Sequence, residues 1–404
     1  NSALNTSGNP DNNSWSIGMT YDNNGNVLTT TDAKDTTVTF TYDELSRVET
    51  KTYEDGTPTV TFYYDGAGLS SVPDYSKGKT TKVSNSLSES KYTQFDVMGR
   101  VLQAQQITDG TTYTSSYEYT LAGDLKQEIY PISGRVVKTS FDGDGQISRI
   151  YGQATSSATE RTYANTFMYM ADGRIEKLRL GNGLWEAAKI NNRLQVTEFL
   201  MGHGSASGDL WKHTYEYGEL QTNGTVDTSK NNGDIGKQTL SYNGLANPFV
   251  QTFKYDSLSR LTEAKETNNS NQTWKQGFGY DRYGNRTSYE KYSGSTQLTL
   301  NDVTNPGVDD DTNHLLSTDG YTFDENGNMT VDAEGRQFTF DGNNKQTEVK
   351  DDQDTTIGHY YYDGEGRRVK KATAAGTTIF VYSLGRLIAE YSTETPASNP
   401  TTSY

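Results

Sequence analysis

One short pattern returns along most of the chain and restricts the fold more than any other feature. It is an aromatic residue, Asp, two variable residues, Gly, Asn or Arg, then an apolar residue. It first reads Tyr21-Asp22-Asn23-Asn24-Gly25-Asn26-Val27. It returns as Tyr42-Asp43 with Ser46-Arg47-Val48, where Ser stands for Gly, and as Phe95-Asp96 with Gly99-Arg100-Val101. Phe141-Asp142 is followed by Gly145-Gln146-Ile147, Tyr255-Asp256 by Ser259-Arg260-Leu261, and Tyr280-Asp281 by Gly284-Asn285-Arg286. Phe323-Asp324 leads to Gly327-Asn328-Met329, and Tyr362-Asp363 to Gly366-Arg367-Arg368. Copies at Tyr119, Tyr169 and Tyr382 keep Gly123, Gly173 and Gly385 but lose the Asp. The interval is 21 residues from Tyr21 to Tyr42, 24 from Phe95 to Tyr119 and 20 from Tyr362 to Tyr382. A period near twenty is short for a helical repeat and suits two strands, one tight turn and one loop.

The unit has a physical reading. Thr37-Val38-Thr39-Phe40-Thr41-Tyr42 alternates with period two, which puts Val, Phe and Tyr on one face of a strand and Thr on the other. Asp-x-x-Gly is a turn signal: the carboxylate caps backbone N–H groups two or three residues on, and Gly takes the left-handed conformation. Each repeat is therefore a β-hairpin, and hairpins placed side by side bury one continuous face. Only 32% of the residues are hydrophobic, yet there are 29 Tyr. A sheet with wet faces needs few aliphatic residues, and a Tyr ring packs while its hydroxyl stays hydrated.

The same counts exclude whole classes. There is no Cys, hence no disulfide framework, thiolate nucleophile or Cys-ligated metal. A formal net charge of −16 argues against nucleic acid as a partner, since backbone binding needs a positive track. No apolar run is long enough to span a bilayer as a helix. Helical signal is confined to Leu184–Lys189, which suggests one or two turns, and long loops are expected near 217–237 and 301–313.

Candidate chemistry is sparse. His203, His213, His314 and His359 are scattered outside any ligand spacing, His203 in a Gly-flanked loop being the least ordinary. Carboxylates that recur with the turn Gly read as structural: Asp22, Asp43, Asp96, Asp142, Asp256, Asp281, Asp324 and Asp363. Arg47, Arg100, Arg174, Arg260, Arg367 and Arg386 follow the turn and are placed to pair with acids or stack on a Tyr of the neighbouring hairpin. Asp142 with Asp144, and Asp309 with Asp311, offer weak calcium candidates without an EF-hand spacing. Trp15, Trp185, Trp211 and Trp274 lie near irregular segments, and Trp185 and Trp211 are the weak candidates for glycan contact. No cofactor is implied.

These motifs resemble the RHS/YD-repeat family of bacterial polymorphic toxins, the large C component of insecticidal toxin complexes, and animal teneurins. The resemblance covers about residues 20–390. It is densest where Tyr321-Thr322-Phe323-Asp324 leads to Phe338-Thr339-Phe340-Asp341, to Tyr361-Tyr362-Asp363-Gly364-Glu365-Gly366-Arg367-Arg368, and to Tyr382-Ser383-Leu384-Gly385-Arg386-Leu387. It implies an all-β fold of tandem hairpins in a spiralling sheet, here an open or partial hollow shell. Residues 1–404 are expected to form a single repeat segment, with an irregular lead at 1–19, repeats over 20–391 and a tail at 392–404.

The chain looks truncated before the family's core module, so neither the autoprotease nor the toxin of complete relatives is expected. The leading expectation is a non-catalytic scaffold of an exported, secreted or cell-surface protein, partnered by a C-terminal toxin cargo or other shell segments. The alternatives are a module binding a glycan or surface protein, and a polysaccharide hydrolase, which would need two carboxylates facing across a cleft. Free strand edges near residues 20 and 390 are expected to drive self-association, or one end to carry a disordered cap.

Overall fold

The computed structural model describes residues 18–300, 305–393 and 402–403, the last two as backbone only. Trp15 and most of the expected lead and tail lie outside these residues. Among the described residues the fold is all-β: the helical elements are two 3-10 turns, Thr228–Lys230 and Ser317–Asp319.

The hairpin has one recurring turn geometry. The Asp N–H donates to the carbonyl four residues on, as from Asp43 to Arg47 at 2.9 Å. The N–H of the Gly or Ser position donates back to the Asp carbonyl, as from Ser46 at 2.9 Å. That fourth residue takes positive φ: Gly25 86°, Gly99 73°, and, with a Cβ to accommodate, Ser46 59° and Ser259 57°. Pairing then slips by one residue, Thr41 facing Thr50 but Tyr42 facing Val48. This is a type I turn closed by a left-handed residue and a bulge, which matches the right-handed twist of the strands.

The chain divides into two compact units, Asn1–Val136 with Ala154–Ala158 and His314–Tyr404, and Val137–Gln153 with Thr159–Asn313. The first contains two meanders. Ten strands run from Gly18–Tyr21 to Leu125–Ile129, and nine from Thr322–Phe323 to Thr402–Ser403, each antiparallel to the next. Val38, Tyr53, Val60 and Val83 form a buried cluster on the ten-stranded sheet, with Phe40 and Phe62 packed against it. Val369, Ile379, Phe380, Val381, Ile388, Ala389 and Tyr391 are buried on the nine-stranded sheet. The Tyr113 and Tyr391 rings meet at 5.0 Å.

The second unit holds a twelve-stranded meander from Ile147–Gln153 to Thr296–Gln297, plus a small hairpin of Glu219–Leu220 and Val226–Asp227. Its buried apolar residues are few (Ala164, Leu200 and Ala264) and most of its strand positions are half-exposed on both faces.

Three local expectations change. Leu184–Lys189 is not helical: Trp185–Ile190 is a strand, paired with Ile175–Leu180 on one side and Val196–Gly202 on the other. Two flanking ladders outweigh the helix propensity of a Glu-Ala-Ala-Lys run. The 217–237 region is partly regular, holding the small hairpin, one 3-10 turn and the start of Ile235–Tyr242. The edge near 390 is partly covered, because Ala389 and Glu390 pair with Ser403 and Thr402. Residues 301–304 lie outside the described residues.

Candidate functional site

The recurring side chains converge on the turns. In the full copies with Arg or Asn after the turn, one carboxylate oxygen accepts two backbone N–H groups and the other holds the side chain four residues on. Asp43 Oδ1 accepts from Leu45 and Arg47 N at 2.9 Å each, and Asp43 Oδ2 accepts from Arg47 Nε at 2.7 Å. Asp96 with Arg100, Asp256 with Arg260 and Asp363 with Arg367 repeat this at 2.6–2.8 Å. With Asn in place of Arg, Asp22, Asp281 and Asp324 hold Asn26, Asn285 and Asn328 at 2.8–3.0 Å. Asp142 caps Asp144 and Gln146 N. The capped amides are therefore two and four residues on, because the left-handed residue directs the third N–H to the Asp carbonyl instead. Hydrogen bonds from Asn26, Arg47 and Arg260 hold the carboxyls of Asp22, Asp43 and Asp256 below the ordinary carboxylate value.

Each turn also clasps the next hairpin. The Arg47 guanidinium lies 4.2 Å from the Tyr64 ring centre, Arg100 4.8 Å from Tyr119, Arg260 4.9 Å from Tyr280, and Arg367 5.4 Å from Tyr382. Beyond the hydration the sequence suggested, motif Tyr hydroxyls donate to backbone. Tyr42, Tyr64, Tyr280 and Tyr362 reach the carbonyls of Val27, Val48, Leu261 and Gln346 at 2.8–2.9 Å. Each acceptor is the first apolar or polar residue after the preceding turn, the carbonyl that the bulge leaves free of the ladder. An aromatic residue every twenty or so positions thus ties hairpin to hairpin.

In the first unit the motif turns of the nine-stranded sheet dock on the reverse turns of the ten-stranded sheet. Asn326 accepts from Ala33 N at 3.0 Å and donates to Asp32 Oδ2 at 2.6 Å. Asn343 Oδ1 accepts from Tyr53 OH at 2.8 Å, and Gly342 N donates to Thr57 Oγ1 at 2.8 Å. Asn85 Nδ2 donates to the Tyr362 carbonyl at 3.0 Å, and Arg367 Nη2 to Ser90 Oγ at 3.1 Å. Gln106 bridges the Phe380 carbonyl (2.8 Å) and Tyr382 N (3.1 Å). Buried Ser383 joins Tyr117, at 2.7 Å, to Glu128. Burial pushes the Tyr92 and Tyr117 hydroxyls up to about 12 and raises the carboxyls of Glu365 and Asp341, the latter also repelled by Asp55. A cavity of about 440 Å³ opens along this seam, lined among others by Asp55, Asn85, Phe340, Asp341, Lys345 and His359.

Comparison with known proteins accords with this geometry. Residues 21–58, which include the motif turns at Asp22 and Asp43, match the RHS Repeat family model. Those residues carry an RHS repeat. No curated protein matches it by sequence. Three solved structures share its fold. A TcdB2–TccC3 complex without the hypervariable C-terminal region is 17% identical with a TM-score of 0.76, and a TcdB2–TccC3–Cdc42 structure is 17% identical with 0.74. A Photorhabdus luminescens Tc holotoxin pore carrying a TccC3 substitution is 16% identical with 0.75. Each covers 96% of this chain, which spans about a fifth of theirs, 21%.

The same turn recurs beyond the copies of the full motif. Asp32, Asp332 and Asp351 make the same turn at the reverse ends of hairpins, and Asp341 makes it after Phe340, with Asp35, Gly335, Asp354 and Asn344 at positive φ. Asn191 substitutes for Asp, with Leu194 in the left-handed position. An Asx residue followed three positions later by Gly, Asn, Asp or Ser, whatever precedes it, would have found all but Asn191. At Thr120 the hydroxyl replaces the carboxylate as the cap. Arg174 pairs instead with Asp172. Leu384-Gly385 is a two-residue turn with φ of 46° and 79°, and Arg386 lies 4.0 Å from Glu128.

The remaining candidates are not brought together. Trp185 faces Gly202 and Trp211 faces Met201, adjacent residues of one strand, so the two indoles lie on opposite faces of the sheet. Trp211 packs on His213, which reaches Tyr242 OH at 3.1 Å. Asp309 caps Asp311 and Thr312 N. Among the described residues no three His, Cys, Asp or Glu are grouped to hold a metal, and Asp142 and Asp309 each cap their own turn. His203 pairs with Asp209 at 2.6 Å on the surface, His314 stacks on Phe323 at 4.3 Å, and His359 lies 3.9 Å from Glu348.

Proposed function

We propose that this chain is a non-catalytic scaffold, one segment of an encapsulating RHS-repeat shell in an exported bacterial toxin or surface protein. One observation carries the reading. The residues that recur at every repeat, Asp, Arg and Tyr, direct their polar atoms at their own turn or the next hairpin, as in Asp256, Arg260 and Tyr280. A group used identically at turn after turn is construction. The likeness to TcdB2–TccC3 structures supports a toxin cargo or further shell segments as partners and a secreted setting. The two compact units are then parts of one repeat segment, and the turn residues from Tyr21 to Arg367 are its structural framework.

Small-angle X-ray scattering tests the shell. A compact chain of this length has a radius of gyration of about 21 Å. A curved single-layer segment gives a clearly larger value and a distance distribution depleted at its centre. A compact radius with a bell-shaped distribution would contradict the shell.

A further inference from the structure

The motif-turn rim of the ten-stranded sheet has an unexpected chemistry. In the nine-stranded sheet the second variable position of the turn is Asn326, Asn343 and Glu365, all polar and all turned against the neighbouring sheet. In the ten-stranded sheet the variable positions carry Leu45, Val97, Met98 and Leu121 beside the polar Asn23, Asn24 and Glu44, and the loop that replaces one turn carries Val72 and Tyr75. The six apolar side chains are each more than half exposed, from 56% for Tyr75 to 96% for Leu121. Six large apolar side chains exposed along one rim are more than solvent alone would select.

The six form one surface. Their turns belong to four successive hairpins and touch: Arg47 Nη2 bonds Asp65 at 2.8 Å, a Cβ on Gly99 would meet Lys79 at 2.6 Å, and Arg100 Nη1 bonds the Thr120 carbonyl at 2.9 Å. Adjacent strands stand about 4.8 Å apart, so four hairpins make a strip roughly 35 Å long. At these exposures the side chains offer on the order of 700 Å² of apolar surface, more than a monomer's largest patch usually shows and near the ~800 Å² that each partner of a stable complex buries. The motif charges within the strip are already paired, Arg47 with Asp43 and Asp65, and Arg100 with Asp96. A charged partner is therefore not called for, and an identical strip is not repelled locally.

We propose that this rim is a docking surface for a second copy of the chain, the two apolar strips meeting about a two-fold axis. The contact is isologous and closes at two copies. It is distinct from strand-edge pairing, because the rim presents turns and side chains rather than an open ladder.

Sedimentation equilibrium of the whole chain, up to about 100 μM, reads it directly. The wild type is expected to form a dimer that tightens between about 0.1 and 0.5 M salt, as added ions screen the mutual repulsion of two chains of charge −16. The triple variant Leu45→Ser, Met98→Ser, Leu121→Ser is expected to weaken it at least tenfold, with an unchanged thermal midpoint at concentrations where both chains are monomeric, since all three side chains project into solvent there. A wild-type monomer throughout overturns the proposal. So does a dimer undiminished in the triple variant, which would place the contact at a strand edge such as Gly18–Tyr21. An open-ended series of oligomers also overturns it.

Discussion

Gly364 stands where the two sheets of the first unit come closest, and adding one methyl group there tests the seam. Its φ lies outside the positive range, so Ala is tolerated by the backbone, but a Cβ would lie 2.7 Å from Val83 Cγ1 and 2.8 Å from Val60 Cγ1. Both valines are 4% exposed and packed with Val38 and Tyr53. Neither has room to turn away, so Gly364→Ala is expected to cost about 2 kcal/mol, as overpacking of a filled core does. Val83→Ala alone removes two methyl groups at roughly 0.8 kcal/mol each plus a cavity term, again about 2 kcal/mol. The double variant should cost about 3 rather than 4 kcal/mol, because the new methyl fills part of the space left by Val83 while Val60 still obstructs it. Hydrogen exchange over residues 80–92 and 356–368, read by mass spectrometry, measures local opening of the seam; 2 kcal/mol is about thirtyfold in the opening constant. Gly143→Ala is the control, since a Cβ there meets nothing within 4 Å. It should leave stability within about 0.5 kcal/mol. Strict additivity at Gly364 and Val83, or a neutral Gly364→Ala, would refute the packing described for this seam.

Three further outcomes follow from the turn and the seam. Tyr362→Phe keeps the ring but strands the Gln346 carbonyl, and should cost about 1 kcal/mol in urea unfolding; no loss would mean that the clasp contributes nothing. Arg367→Met leaves Asp363 and Glu365 without their guanidinium inside the seam and should cost about 3 kcal/mol, against under 1 kcal/mol for the exposed Arg386→Met. Stability should peak in mild acid: Glu365 and Asp341 have raised values, so their folded forms bind protons more tightly and their contribution fades as pH rises through those values. Asp22, Asp43 and Asp256 have lowered values, so theirs is present above about pH 4 and fades as pH falls below it. A thermal midpoint that climbs steadily from pH 5 to 7.5 would count against this balance.

The sequence made the turn legible because the turn completes itself locally. Asp43, Ser46 and Arg47 satisfy one another within five residues, so their types and spacing carry the information without any distant partner. The stacking of Arg on the next Tyr was legible for the same reason, since the next Tyr arrives at a fixed interval. The backbone bond of the Tyr hydroxyl was missed because composition suggests a wet face, while the bulge that frees the acceptor carbonyl is a backbone event with no residue signature of its own. Leu184–Lys189 was misjudged because six residues of good helix formers say nothing about ladders on both sides.

The seam was invisible for a more general reason. It joins residues about 250 to 290 apart, Asn343 to Tyr53 and Ser383 to Glu128 among them, and it uses the variable positions of the motif. A repeat pattern is recognised by what stays the same, and these positions are free to differ because the turn does not need them. They are therefore where one repeat sheet can acquire a specific neighbour. Asn326, Asn343 and Glu365 specify contact with one rim, and Leu45 and Met98 are the same positions given a different chemistry. The invariant letters hold each hairpin to the next, and the variable letters decide which surface the finished ribbon meets.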